Sequence, residues 1–205
     1  MKSWGRGVLL LGVLTGCQDS LLPPRPPSYD KACVPSHDYY VQMAHDTQDM
    51  GTDPIPADPR EAIAKALQDL EDRGVVVSEK SKSDPTAEFS MALPGRVFLS
   101  HGFYMMDDRM QAATLWHELV HVRQWERLGE RKFLRHYVMA EGRWALEVPA
   151  YRESLRVMRH FEMSEDGLKK AAKGQFDSLY EKYGIGTMPR ECTEQMTFAI
   201  WDLDR

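Results

Sequence analysis

Three cysteines in 205 residues, none close enough to another to form a paired spacing, leave no cysteine-ligated metal site in this chain. Long apolar runs are missing too: Val8 to Leu14 falls well short of the about 20 residues needed to cross a bilayer. Positive charge is in deficit, with 26 Lys and Arg against 31 Asp and Glu and a formal charge of −5. That balance excludes nucleic acid as a partner and leaves no polybasic patch for a membrane surface. No internal repeat is evident. What remains from Asp30 onward is long enough for one domain with its own core.

Against this plain background one pentapeptide stands out, His117-Glu118-Leu119-Val120-His121. Four residues advance an α-helix by about 400°, so the two histidines lie one turn apart on the same face and can bind one tetrahedral metal. The glutamate beside them need not be a ligand: its carboxylate can take a proton from a metal-activated water and deliver it to a leaving amine. With 7 histidines in the chain, the pattern arises by chance in about one such sequence in sixty. Ala112, Ala113, Leu115, Trp116, Leu119, Val120 and Val122 make the helix apolar on most of its circumference, which describes a buried helix. Burying three ionisable groups costs several kcal/mol unless something compensates, and a dication with its water satisfies all three.

Zinc requires a third protein ligand. A metzincin would carry glycine at 124 and histidine at 127; these positions are Gln124 and Arg127, so that class is excluded. The other common solution is a glutamate on a second helix. Glu141, Glu147 and Glu153 are candidates, with His136 and His160 as alternatives. Glu147 is favoured because Ala150, nearly on the same face one turn later, is small enough to let that helix approach closely. Glu153 is the runner-up. Pro149 places Glu147 at or just before a helix start, or at a kink.

The run from Trp116 to Trp125, followed by Glu147-Val148-Pro149-Ala150-Tyr151, resembles the gluzincins, and most of all the small bacterial members whose motif helix continues with a valine and a glutamine. The resemblance covers roughly residues 96 to 160. It implies a zincin-like metallopeptidase, with His117, His121 and Glu147 holding Zn2+ and Glu118 as general base. In thermolysin-like members an aspartate four residues past the ligand glutamate supports a ligand histidine; here that place is Tyr151, which argues against a close thermolysin relative. A donor for the developing oxyanion is also needed. Tyr151, one turn beyond Glu147, has the best positional claim, and Tyr137, His136 and His160 lie in the same region.

The first 17 residues are a second signal. Lys2 and Arg6, the apolar stretch and Leu14-Thr15-Gly16-Cys17 resemble a bacterial lipoprotein leader. The resemblance implies cleavage before Cys17 and lipidation of that residue. Residues 1–16 carry Lys2 and Arg6 and no acidic side chain, so their removal shifts the charge from −5 to −7. Residues 17–29, with four prolines in five positions from Pro23 to Pro27, then form a semi-rigid tether. In a Gram-negative host, Gln18 directly after the lipidated cysteine would favour the outer membrane, facing the periplasm. Exported through an oxidising compartment, Cys33 and Cys192 are expected to form a disulfide joining the ends of the domain.

For the domain, residues 30–205, the expected fold is α+β, mainly helical, with a small antiparallel sheet beside the motif helix. Helices are expected over 37–50, from Asp58-Pro59 to Gly74, and over 108–127, 131–140, 147–161, 164–183 and 189–201. Strands are expected at 75–78, 87–92 and 96–100, the last two joined by the turn Leu93-Pro94-Gly95. By analogy with gluzincins, Val97, Phe98 and Leu99 could pair with an extended substrate, although ordinary sheet core is the simpler expectation. Two functions follow. One is a membrane-tethered zinc peptidase acting on a peptide, envelope protein or cell-wall cross-link. The other is a non-catalytic envelope lipoprotein whose zinc is structural or serves assembly, which calls for a fourth protein ligand that the sequence does not offer.

Overall fold

The structure is a computed structural model that describes residues 46, 53–81, 90–182 and 189–201. Cys17, the leader, the tether, Cys33 and most of the expected helix over 37–50 lie outside the described residues, as does the side chain of Cys192, so the expected disulfide falls outside them too. The architecture is α+β: helices dominate, and a small three-stranded mixed sheet lies beside them.

Helix α1 (Pro59–Asp72) has the start and stop that its sequence announces. The Asp58 carboxylate accepts from the N–H groups of Arg60 and Glu61 at 2.8 and 3.2 Å, and Pro59 occupies the first turn. Ala62, Ala66 and Leu70 form its buried stripe. Gly74, at φ 69°, closes it: Val75 N–H donates to Leu70 O and Gly74 N–H to Glu71 O, the paired bonds of a left-handed helix stop.

Strands β1 (Val76–Glu79), β2 (Met91–Leu93) and β3 (Arg96–Leu99) follow. The hairpin β2–β3 turns at Pro94-Gly95, with Gly95 at φ 75°, and is antiparallel as expected. The expectation of a wholly antiparallel sheet fails at β1, which pairs with β3 in parallel, Val77 opposite Val97, in the order β1-β3-β2. Sixteen residues separate Glu79 from Arg96, enough for the return crossover that parallel pairing needs. Because β3 is flanked on both sides, it has no free edge for a substrate. Val97 and Leu99 are buried sheet core, and the β-augmentation role considered for Val97, Phe98 and Leu99 is corrected.

After a 3-10 turn (His101–Met105), helix α2 (Asp108–Leu128) starts at Asp107, whose carboxylate accepts from Met110 N–H at 2.9 Å, and stops at Gly129, φ 74°. It is buried almost all round, packing most extensively against α4 (Ala140–His160) and α1. Between α2 and α4 lies the short α3 (Glu130–Val138), anchored by buried Phe133. A Cβ on Gly142 would stand 2.6 Å from the His136 carbonyl oxygen, so glycine is what lets the start of α4 fold against α3. Helices α5 (Glu165–Lys182) and α6 (Arg190–Ile200) are the last elements among the described residues.

One element departs from expectation. Helix α4 begins seven residues before 147, and Pro149 lies inside it rather than in its first turn. Proline withholds the N–H due to the Ala145 carbonyl. Donors from other elements reach the neighbouring carbonyls: Gln124 Nε2 to Leu146 O at 2.9 Å and Trp201 Nε1 to Val148 O at 2.8 Å. Packing on both sides therefore overrides the local cost. Two more buried indoles tie elements together in the same manner, Trp116 to Ala62 O and Trp144 to Thr197 Oγ1.

Candidate metal centre

Helix α2 presents His117 and His121 one turn apart toward α4, which returns Glu147 between them. The two Nε2 atoms are 3.1 Å apart, and Glu147 Oε2 lies 3.4 Å from His117 Nε2 and 3.5 Å from His121 Nε2. Four donors at zinc-ligand distances of about 2.1 Å would be separated by about 3.4 Å along the edges of a tetrahedron. The observed spacings match three corners. All three residues are buried, and they form a group able to hold a metal ion.

Each histidine is held through its other ring nitrogen. Gln124, one turn beyond His121 on the same helix, places Oε1 2.8 Å from His121 Nδ1 and so accepts its proton, which frees the Nε2 lone pair once a metal replaces the proton there. The Gln124 amide is fully used: Nε2 donates to Leu146 O and to Asp46 Oδ2, both at 2.9 Å. Asp46, buried, pairs in turn with Arg127. His117 Nδ1 lies 3.4 Å from Ser154 Oγ, whose hydroxyl is directed to Ala113 O at 3.2 Å. The support that the Tyr151 departure put in doubt is therefore supplied by Gln124 and Ser154. Tyr151 instead packs its ring against His117, centroids 4.6 Å apart, and against Trp201 at 6.0 Å. The sequence carried a signal for Gln124, its i, i+3 spacing from His121; Ser154 had none beyond helical phase with Glu147.

The electrostatics are those of a site built for a cation. Burial alone would push the Glu147 carboxyl up, but the His121 charge and hydrogen bonds from both histidines hold it well below the usual carboxylate range. His121 shows the reciprocal effect: burial lowers it, the Glu147 charge and hydrogen bond outweigh burial, and it is pushed up to about 9. Burial raises Glu118 above the ordinary carboxyl range, against the pull of the two histidines. Its Oε2 is buried without a hydrogen-bond partner among the described residues. Two imidazoles, a carboxylate and a second carboxyl with one unpartnered oxygen suit a borderline dication such as Zn2+.

The donors open into a cleft of about 230 Å3. One wall is β2, through Met91 and Ala92; another is α3, through Phe133 and Tyr137; Met110, Met158 and Gln175 also line it. Both Tyr137 and Tyr151 line it, and the Tyr137 hydroxyl, raised chiefly by burial and then by the Glu147 charge, is 3.7 Å from Met91 Sδ. His136, Glu141 and Glu153 do not line it. Glu153 is buried elsewhere, its carboxylate gripped by Arg156 at 2.6 and 2.8 Å, and exposed His160 bonds Pro56 O. Glu147 is thus the carboxylate that joins the histidines. Among the described residues no helix is long and apolar enough to cross a membrane. Comparison with known protein families, with curated proteins and with solved structures finds no match.

Proposed function

We propose that this chain is a zinc-dependent peptidase. The observation that carries the reading is Glu118: a buried carboxyl with an unpaired oxygen beside a three-donor group that opens into a cleft. Zn2+ held by His117, His121 and Glu147 would supply Lewis acidity, polarising a carbonyl and acidifying a water. The raised affinity of Glu118 for protons suits it to take a proton from the attacking water and return it to the leaving amine. Tyr137 and Tyr151 line the cleft as hydrogen-bond donors for the developing oxyanion, with Tyr151 the first choice for its packing on His117. Strand β2 is an edge of the sheet among the described residues, and its Met91 and Ala92 face the cleft, so an extended substrate backbone would add there rather than at β3. A fourth histidine, cysteine or carboxylate does not join the group among the described residues, which favours a catalytic over a structural centre. Read with the lipoprotein-like leader, the substrate would be a peptide or protein of the bacterial envelope, met by an enzyme tethered through Cys17 to the lipid bilayer.

The test is bound zinc and peptide-bond cleavage measured on the native chain, Glu118→Gln and Glu147→Ala. Glu118→Gln should keep zinc and lose turnover by at least about a hundredfold. Glu147→Ala should lose zinc. Unchanged hydrolysis in Glu118→Gln refutes the mechanism, and full zinc occupancy in Glu147→Ala refutes the ligand set.

A further inference from the structure

Two residues lining the cleft carry a buried side-chain oxygen without a hydrogen-bond partner among the described residues, Glu118 through Oε2 and Gln175 through Oε1. Proton transfer accounts for the first. Nothing in that chemistry accounts for the second, and leaving an amide oxygen buried and unpaired is costly. Gln175 comes from α5, which contributes no other residue to the cleft.

The cleft extends from the three donors as an arm between α2 and α4. From His117 the cleft follows α2 back through Thr114 and Ala113 to Met110, about 10 Å for seven residues, and follows α4 forward through Ser154 to Met158. Gln175 lines the same cleft from α5. The other polar groups of the arm are occupied: Thr114 Oγ1 donates to Met110 O at 2.9 Å, and Ser154 Oγ lies between Ala113 O and His117. Among the described residues no lysine, arginine or aspartate lines the cleft. The arm therefore has thioether and alanine walls and one uncommitted neutral amide, whose terminal torsion is soft enough to turn either atom inward.

The geometry points to Gln175 as the residue that reads the end of a substrate side chain, selecting an apolar stem tipped by a carboxamide, that is, glutamine. A carboxamide donates N–H to Gln175 Oε1 and accepts from Nε2, satisfying both partners at once. A thioether of the same length leaves Oε1 unpaired, a carboxylate meets it with acceptors only, and an ammonium surrenders its water for a single neutral acceptor. This inference rests on the peptidase reading for the identity of the ligand as a peptide, but not on turnover.

The test is calorimetric titration of the full-length chain carrying Glu118→Gln and loaded with Zn2+. The probes are end-blocked pentapeptides with two alanines on each side of a central glutamine, methionine, glutamate or lysine. The glutamine peptide should bind about tenfold more tightly than the methionine peptide, and Gln175→Leu on the same background should erase that margin and favour methionine. If Gln175→Leu fails to fold, Gln175→Glu serves in its place and should move the preference from glutamine to lysine. Equal affinities, no binding of any probe, a native preference for glutamate or lysine, or a glutamine preference that survives both variants overturns the assignment. Assays of the same peptides with Glu118 restored separate the two claims. Gln175-dependent binding without hydrolysis overturns the peptidase reading alone, and hydrolysis indifferent to the central residue overturns the Gln175 assignment alone.

Discussion

Replacing Gln124 by leucine is the sharpest probe of how the centre is held. The side chain keeps its bulk but loses three hydrogen bonds, to His121 Nδ1 at 2.8 Å and to Asp46 and Leu146 O at 2.9 Å. Without the acceptor at Nδ1, the His121 ring is free to turn and to carry its proton on Nε2, where the metal must bind. Loss of such a partner weakens metal affinity about 10- to 100-fold. The lost bonds to a buried carboxylate and a carbonyl destabilise the metal-free fold by about 2–4 kcal/mol. Gln124→Glu separates the two effects. It keeps an acceptor for His121 Nδ1 and sets a second carboxylate against Asp46, so zinc affinity should hold while metal-free stability falls. Competition against a chromogenic chelator gives the affinity, and urea unfolding of chelator-treated protein gives the stability. Zinc affinity within twofold of native in Gln124→Leu would show that Gln124 does not orient His121.

Two other outcomes follow from the structure. Gly142→Ala should destabilise by about 1–3 kcal/mol in urea unfolding, against the usual gain for alanine in a helix, because its Cβ would meet the His136 carbonyl oxygen at 2.6 Å; a variant as stable as native shows that α3 can yield. In metal-free protein, His121 binds its proton up to about pH 9 when folded and to about 6.5 when unfolded. Its contribution is complete below pH 6.5 and is lost as pH rises to 9, on the order of 3 kcal/mol. Unfolding in urea at the two pH values, with chelator present, should show that decline; a flat or rising profile means that the imidazolium pair with Glu147 does not form.

The parts of this fold that could be read from sequence are those set by neighbours a few residues apart. Asp58-Pro59 and Gly74 bounded α1 because capping bonds form within one turn. His117, Glu118 and His121 are likewise related by one helical turn. Glu147 could be preferred but not distinguished from Glu153, since what separates them is Arg156 claiming the latter. Pro149 misplaced the start of α4 because its cost is local while the packing of α2 and α6 that overrides it is not. The parallel pairing of β1, the support from Ser154 and Asp46, and the entry of Gln175 into the cleft all depend on chain segments distant in sequence. No periodicity in a single stretch encodes such contacts.

Pro149 also bears on the order in which the three-donor group is assembled. Carbonyls of the helical turn that carries Glu147 also accept from other elements, from Gln124 on α2 and from Trp201 at the end of α6. A nascent chain that has made only α2 to α4 lacks Trp201, which is fifty-four residues beyond Glu147, and so lacks part of what shapes the ligand's backbone. The surroundings of Glu147 are then complete only in a finished chain, unlike a zinc finger, whose ion nucleates the fold. A donor group assembled in this order stays incomplete while its own chain is still being made.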